Sequence, residues 1–174
     1  MFRDIKDFVG GCHSCIGKRG HIKNPLAPLQ ESPIPSRPLE RVAVDCVGPL
    51  CTSTLGNKYI VVLTDYFTRN AEAYCTKDIQ TPTIITVLEK FISSHGVPEN
   101  LVSDQGSDFL ADAIVEVYKR LGINKTKTSR YHPQANGVCE KFNGTLVTAL
   151  SHLVNEVQED WCRHVPFALL AYRT

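Results

Sequence analysis

No stretch of this 174-residue chain is apolar for long enough to cross a bilayer. Runs such as Tyr59-Ile60-Val61-Val62-Leu63 fall far short of the roughly 20 residues a spanning helix needs. No signal peptide is expected either, because Met1 is followed by Phe2-Arg3-Asp4-Ile5-Lys6-Asp7, too charged for the apolar part of one. A soluble, intracellular protein with no membrane partner is expected. Charge of one sign is scarce: 19 Lys and Arg against 18 Asp and Glu leave +1. That is not the strongly basic balance of a protein held to nucleic acid mainly through phosphates, although a local patch is compatible with neutrality. Seven cysteines are an odd number, and without a secretory signal they argue against a disulfide framework. Cys46, Cys51, Cys75, Cys139 and Cys162 are scattered singly and read as small buried apolar residues. Internal repeats are absent. What remains, 43% apolar and 21% charged, is an ordinary globular composition. The length suits one main domain with a small appendage.

Cys12 and Cys15 form a C-x-x-C after a short helical-looking stretch from Phe2 to Val9. Two thiolates at that spacing grip one face of a tetrahedral zinc, but a closed site needs four ligands. No second C-x-x-C and no H-x(3–5)-H follows, and His13 and His21 are poorly spaced to complete it. The pair reads as the back half of a zinc site, the alternatives being a redox pair or no role at all. From Gly17 the composition shifts, and Pro25, Pro28, Pro33, Pro35 and Pro38 crowd one short segment. Proline at that density blocks helices and central strands, so residues 21–38 are expected to be an extended linker or arm, with the main domain starting near Leu39.

Beyond it the period alternates. Val42 to Val47, Tyr59 to Thr64 and Ala71 to Cys75 read as three strands of an antiparallel meander, with Gly56-Asn57 as turn chemistry. Thr81-Pro82 opens a helix with Ile85, Leu88, Phe91 and Ile92 on one face. Leu101 to Ser103 is a short buried strand. Ala113, Val117, Tyr118 and Leu121 mark a second helix, Ile123 to Ser129 a fifth strand and Tyr131 to Gly137 a loop. A long helix is expected from Val138 to Val157 and a last one from Trp161 to Tyr172. The order predicts a mixed α/β sheet with helices on its faces.

Three carboxylates stand out. Asp45 interrupts a Val and Ala strand, an expensive place for a charge that binds nothing. Asp104 closes the second short apolar strand, and neighbouring parallel strands would bring both to one sheet edge. On the long helix Val138, Phe142, Leu146, Ala149, Leu150, Leu153 and Val157 form an apolar stripe, and Glu140 points away from it. Two Asp and one Glu suit a hard divalent cation, Mg²⁺ or Mn²⁺. Asp65 and Asp108 compete for these roles; Asp65 reads as a turn former or an outer carboxylate, and Asp108 as the start of a helix.

The segments Val42–Leu50, Val102–Phe109 and Tyr131–Asn143 together resemble the catalytic core of retroviral and Gypsy-type LTR-retrotransposon integrases. Between Asp104 and Glu140 lie 35 residues, the interval of that family's D,D(35)E signature, and Leu170-Ala171-Tyr172-Arg173-Thr174 also resembles the family. The likeness covers roughly residues 39–174. It implies a ribonuclease H-like mixed five-stranded sheet with an N-terminal extended arm, with Asp45, Asp104 and Glu140 as catalytic metal ligands for two Mg²⁺ or Mn²⁺ ions. It also implies that residues 1–20 are the C-terminal remnant of a His-His-Cys-Cys zinc module, in which Zn²⁺ belongs to the intact module only. The chain then reads as a fragment of a longer polyprotein.

The activity implied is polynucleotidyl transfer: trimming the ends of retroelement DNA, then joining them to target DNA. DNA, a second copy of the chain and nuclear localisation, with cytoplasmic particles beforehand, follow from the same resemblance. Arg130, Tyr131, His132, Gln134, Asn136, Lys141 and Asn143 are the candidate DNA contacts; Gly144 and Val147 stand where many integrases carry Lys or Arg. Three alternatives remain: a ribonuclease H-like nuclease, a domesticated integrase descendant that binds nucleic acid or chromatin without catalysis, and a zinc-dependent adaptor.

Overall fold

The structure, a computed structural model, describes residues 3–6, 34–103, 111–127 and 137–174. The chain divides into two compact units, Met1–Ser32 and Pro33–Thr174. In the first, residues 3–6 form an exposed helical turn; Cys12 and Cys15 lie outside the described residues. In the second, Ser36 N and Oγ donate to Glu40 Oε2 at 2.7 and 2.9 Å, and Arg37 reaches Glu99 at 2.8 Å. Ser36 and Arg37, just before Leu39, are thus tied to the domain that follows.

Five strands follow in the order β3-β2-β1-β4-β5: β1 Arg41–Val47, β2 Tyr59–Asp65, β3 Ala71–Thr76, β4 Asn100–Ser103 and β5 Asn124–Lys127. The first three form the expected antiparallel meander; β4 lies parallel to β1, with Val44 opposite Ser103, and β5 parallel to β4. The crossovers are α1 Thr81–His95 and α2 Asp112–Leu121, and α3 Gly137–Leu153 and α4 Trp161–Arg173 close the domain.

The period-2 alternation of β1 and β2 feeds two cores. Val42, Val44, Val61 and Leu63 face α1 and α2, where Ile84, Leu88, Phe91, Ile114 and Tyr118 pack on them. Ala43, Ile60 and Val62 face the other way, onto Cys139, Phe142, Leu146, Leu150, Trp161 and Val165 of α3 and α4. The result is three layers, helices on both faces of one mixed sheet.

Two glycines are required where they stand. Gly48 closes β1 at φ +133°, and a Cβ there would lie 2.8 Å from Lys58 O and from the Tyr59 ring. Gly122 ends α2 at φ +70°, the left-handed cap that stops a helix.

Three helix details differ from the periodicity reading. α1 buries Ile84 and Val87 beside Leu88 and Phe91, so its core face is rotated from the expected one and Ile85 and Ile92 sit at its margin. α2 buries Ile114 and Tyr118, leaving Leu121 exposed beside its glycine cap. α3 stops at Leu153, not Val157: Asp160 Oδ1 accepts a bond from Asn155 N at 3.1 Å, turning the chain before α4, and Val157 is exposed.

Candidate active site

Asp45 sits on β1, one residue past Val44, and alternation puts it on the Ala43 face, the side covered by α3. It is half-buried. Its Oδ1 accepts from Cys46 N at 2.8 Å, and its Oδ2 accepts from Asn143 Nδ2 at 2.8 Å. The second bond fixes α3 against the end of β1. The other amide atom of Asn143, Oδ1, is buried with no partner among the described residues.

Glu140 lies three residues before Asn143 on the same helix, one turn nearer its start, and it is exposed. The buried line of α3 is Cys139, Phe142, Leu146 and Leu150. At about 100° per residue, Glu140 falls roughly 110° from the centre of that line and Asn143 between the two. The helix therefore offers its amide to Asp45 and its carboxylate to the adjacent open side. Cys139, the residue between Val138 and Glu140, records the charge gathered here. Burial pushes its thiol up to about 12, and the negative charges of Asp45 and Glu140 add to the effect, against a 3.8 Å bond from Thr64 Oγ1. Tyr66 is likewise pushed to about 12, chiefly by burial, with Glu140 a smaller contributor and Arg41 5.9 Å from its ring centre.

Asp104 lies outside the described residues, as do Asp108, Arg130, Tyr131, His132, Gln134 and Asn136. What is described is the strand leading to it: β4 runs parallel to β1 and ends at Ser103, opposite Val44. Among the described residues no group of three or more His, Cys, Asp or Glu side chains gathers that could hold a metal ion.

Asp65 is the turn former of its two readings. It is 5% exposed, and its carboxylate accepts from Phe67 N at 3.1 Å and Thr68 Oγ1 at 2.7 Å. Those bonds satisfy the buried charge within the β2–β3 turn.

Lys141 projects to another side of α3. It lines a cavity of about 550 Å³ with Arg69, Phe142, Thr145 and Tyr172. Arg69, a cation that periodicity did not single out, is brought there by the β2–β3 turn, where Tyr172 Oη donates to its carbonyl at 3.2 Å. Of the two candidate DNA contacts among the described residues, Lys141 and Asn143, Asn143 is drawn inward, and its i+3 spacing from Glu140 was the signal that could have shown it.

Comparison with known proteins now decides the family. The profile described as "Integrase core domain" matches residues 35–133, more than half of the chain. The chain belongs to the integrase core domain family. Two relatives are the Gypsy retrotransposon integrase-like protein 1 of Mus musculus, 28% identical over 97% of this chain, and the Gag-Pol polyprotein of gibbon ape leukemia virus, 36% identical over 68% of it. This integrase core chain spans 32% and 7% of their respective lengths. Among solved structures, the HTLV-2 integrase catalytic core domain in complex with magnesium has a TM-score of 0.62 at 20% identity, covering 77% of this chain and 84% of that one. That likeness establishes the ribonuclease H-like fold.

Proposed function

We propose that this integrase core carries out metal-dependent polynucleotidyl transfer on DNA, with Asp45, Asp104 and Glu140 as its three carboxylates. The observation that carries the reading is the junction of β1, β4 and α3. β4 runs parallel to β1 and ends at Ser103, opposite Val44 and one residue before Asp104 in the sequence. The Asn143–Asp45 bond ties the first turns of α3, and with them Glu140, to the same end of β1.

The donor chemistry fits a hard divalent cation: all three side chains offer carboxylate oxygens, with no soft ligand among them, and the HTLV-2 core was solved with magnesium. When bound, such ions supply Lewis-acid stabilisation of both the attacking and the leaving oxygen. The protein's own part is positional. Asp45 is pinned at both oxygens before any ligand arrives, which removes rotamer freedom from that carboxylate. Glu140 is exposed and accessible to a ligand. Lys141 and Arg69, with Arg130 and residues 131–136, would meet the DNA backbone through phosphates, which orient the duplex without reading its sequence. Assembly of more than one copy on the DNA belongs to the same reading.

The test is strand transfer of a retroelement DNA end in Mg²⁺ or Mn²⁺. Asp45→Asn, Asp104→Asn and Glu140→Gln should each lower the rate by at least about 100-fold with an unchanged circular dichroism spectrum. Near-normal transfer by any one of them removes that residue from the site.

A further inference from the structure

The proposed reaction makes no use of cysteine, yet two of the cysteines of the second unit meet. Alternation gives Ala71, Ala73 and Cys75 of β3 one face, packed on the core under α3 and α4, while Tyr74 turns to the other face, that of α1. Cys162 is the second residue of α4 and belongs to the same core as Cys75. The two cysteines stand 87 residues apart in the chain, and Cys75 Sγ donates to Cys162 O at 3.9 Å. The Cys75 thiol is also hydrogen-bonded to the Cys162 thiol.

The Cys162 sulfur has polar company besides. It donates to Ser53 Oγ at 3.2 Å and accepts from Asn57 Nδ2 at 3.3 Å. Ser53 and Asn57 hold each other, Asn57 N donating to Ser53 Oγ at 3.0 Å and Ser53 N to Asn57 O at 2.9 Å. Their loop, between β1 and β2, is fastened to the start of α4 at two further points, Thr54 N to Glu159 O and Trp161 Nε1 to Cys51 O, both 2.8 Å. A cysteine that merely fills a core has no need of a hydroxyl and an amide around its sulfur. Held this way, Cys162 keeps its sulfur beside Cys75, and two thiols in hydrogen-bond contact have a short approach to the roughly 2 Å of a disulfide bond.

We propose that Cys75 and Cys162 are a reversible dithiol pair, which a hydroperoxide oxidises to a disulfide between β3 and the first turn of α4. In the first step the Cys162 sulfur gives up its proton and attacks one oxygen of the hydroperoxide. The O–O bond breaks, a sulfenic acid forms on Cys162, and the other oxygen leaves with the proton as water or an alcohol. In the second step the Cys75 sulfur attacks the sulfenic sulfur, the S–O bond breaks, and the hydroxyl leaves with the Cys75 proton as water. The two thiols lose two electrons, which the peroxide bond takes up; two thiols of a reductant such as glutathione return them. Cys162 is the attacking sulfur because the Asn57 amide already donates to it. Cys75, pushed up to about 12 by burial and then by its Cys162 neighbour, is the resolving one.

The test is peptide mapping of the full chain after hydrogen peroxide treatment at neutral pH, with the remaining thiols then blocked by iodoacetamide in urea. Trypsin leaves Cys75 in residues 70–77 and Cys162 in residues 142–163, each the sole cysteine of its peptide. The native chain should yield these two peptides joined, lighter by two hydrogens than their sum and separated again by dithiothreitol. Cys75→Ser should halt the reaction at a sulfenic acid on Cys162, trapped by dimedone, and Cys51→Ser should leave the yield of the joined peptides as in wild type. The wild-type map decides the matter even where a variant fails to fold. Free thiols at both positions after peroxide, either cysteine joined to Cys51 instead, or joined peptides that appear only when peroxide is added in urea would each overturn the proposal.

Discussion

Asn143 carries more of this account than its place in the sequence suggests. A small amide one turn beyond Glu140 could be a DNA contact or plain helix surface; here its Nδ2 is spent on Asp45 Oδ2 at 2.8 Å. A residue that acts through another should change rate more than fold. Asn143→Ala is expected to lower strand transfer about 10- to 100-fold and to shift its divalent-ion dependence to higher concentration, while the circular dichroism spectrum stays as it was. An unchanged ion dependence would leave Asn143 with a structural role only. Cysteine chemistry gives a second residue-scale prediction. Burial holds Cys139 and Cys75 at about 12, so neither presents thiolate at neutral pH. Cys51 is exposed, though its Sγ lies 2.6 Å from Gln158 O. Of the five cysteines of the second unit, iodoacetamide at pH 7.5 should modify Cys51 first and leave Cys139 intact in the native protein, as read by peptide mass spectrometry. The buried reading of lone cysteines was therefore right for Cys139 and Cys162, half right for Cys46 and Cys75, and wrong for Cys51. Spacing cannot tell a residue that faces a core from one on a loop that skirts it.

At the scale of elements, what was legible followed the strength of the periodic signal. β1, β2 and β3 emerge within a residue or two of their expected bounds because β-branched runs closed by Gly-Pro and Gly-Asn leave few alternatives. Helix ends and helix faces were harder. The stripe drawn through Val138, Leu153 and Val157 ran past the point where Asp160 turns the chain, and it passed over Cys139, which occupies the centre of the buried face. A stripe drawn through the large apolar residues leaves out a small buried thiol, and the bond from Asn155 N to Asp160 lies beyond the helix, where its periodicity carries no signal. The stripe's true centre makes a stability prediction. Leu146→Ala removes a side chain that is 2% exposed and should cost about 2–5 kcal/mol in urea unfolding, whereas Leu153→Ala, 42% exposed, should cost under about 1 kcal/mol. The connection that follows titrates. His164 Nε2 at 3.0 Å, then Asn155 N, hold the Asp160 carboxyl below the usual carboxylate range. A depressed carboxyl contributes stability above its unfolded-state pKa and loses it as pH falls through the folded one. Asp160→Asn should therefore lower the urea midpoint at pH 7 and leave it nearly unchanged at pH 2.

For the whole molecule, fold and family were within reach of the sequence because three short motifs and one interval act together. The proposed DNA contacts were not. Exposed Lys and Arg leave no periodic trace, and here Arg69 and Lys141, far apart in the chain, line one cavity. With a net charge of +1 and Gly144 and Val147 on the exposed side of α3, DNA binding by this chain should be weak and almost indifferent to sequence. The slope of log K against log salt should be about −2 to −4. On the reading of Cys12 and Cys15 as half of a four-ligand zinc site, chelation should leave the melting temperature of the 174-residue chain unchanged. The central claim is that one carboxylate site performs phosphoryl transfer. Its most direct measurement uses a branched DNA that carries the attacking 3′-hydroxyl and the phosphodiester in one molecule, so that a single binding event presents both. In Mn²⁺, wild-type chain should resolve the branch into a joined strand and a released end, and Glu140→Gln, equally folded, should release none. Metal-independent resolution, or equal rates for the two proteins, would contradict the account.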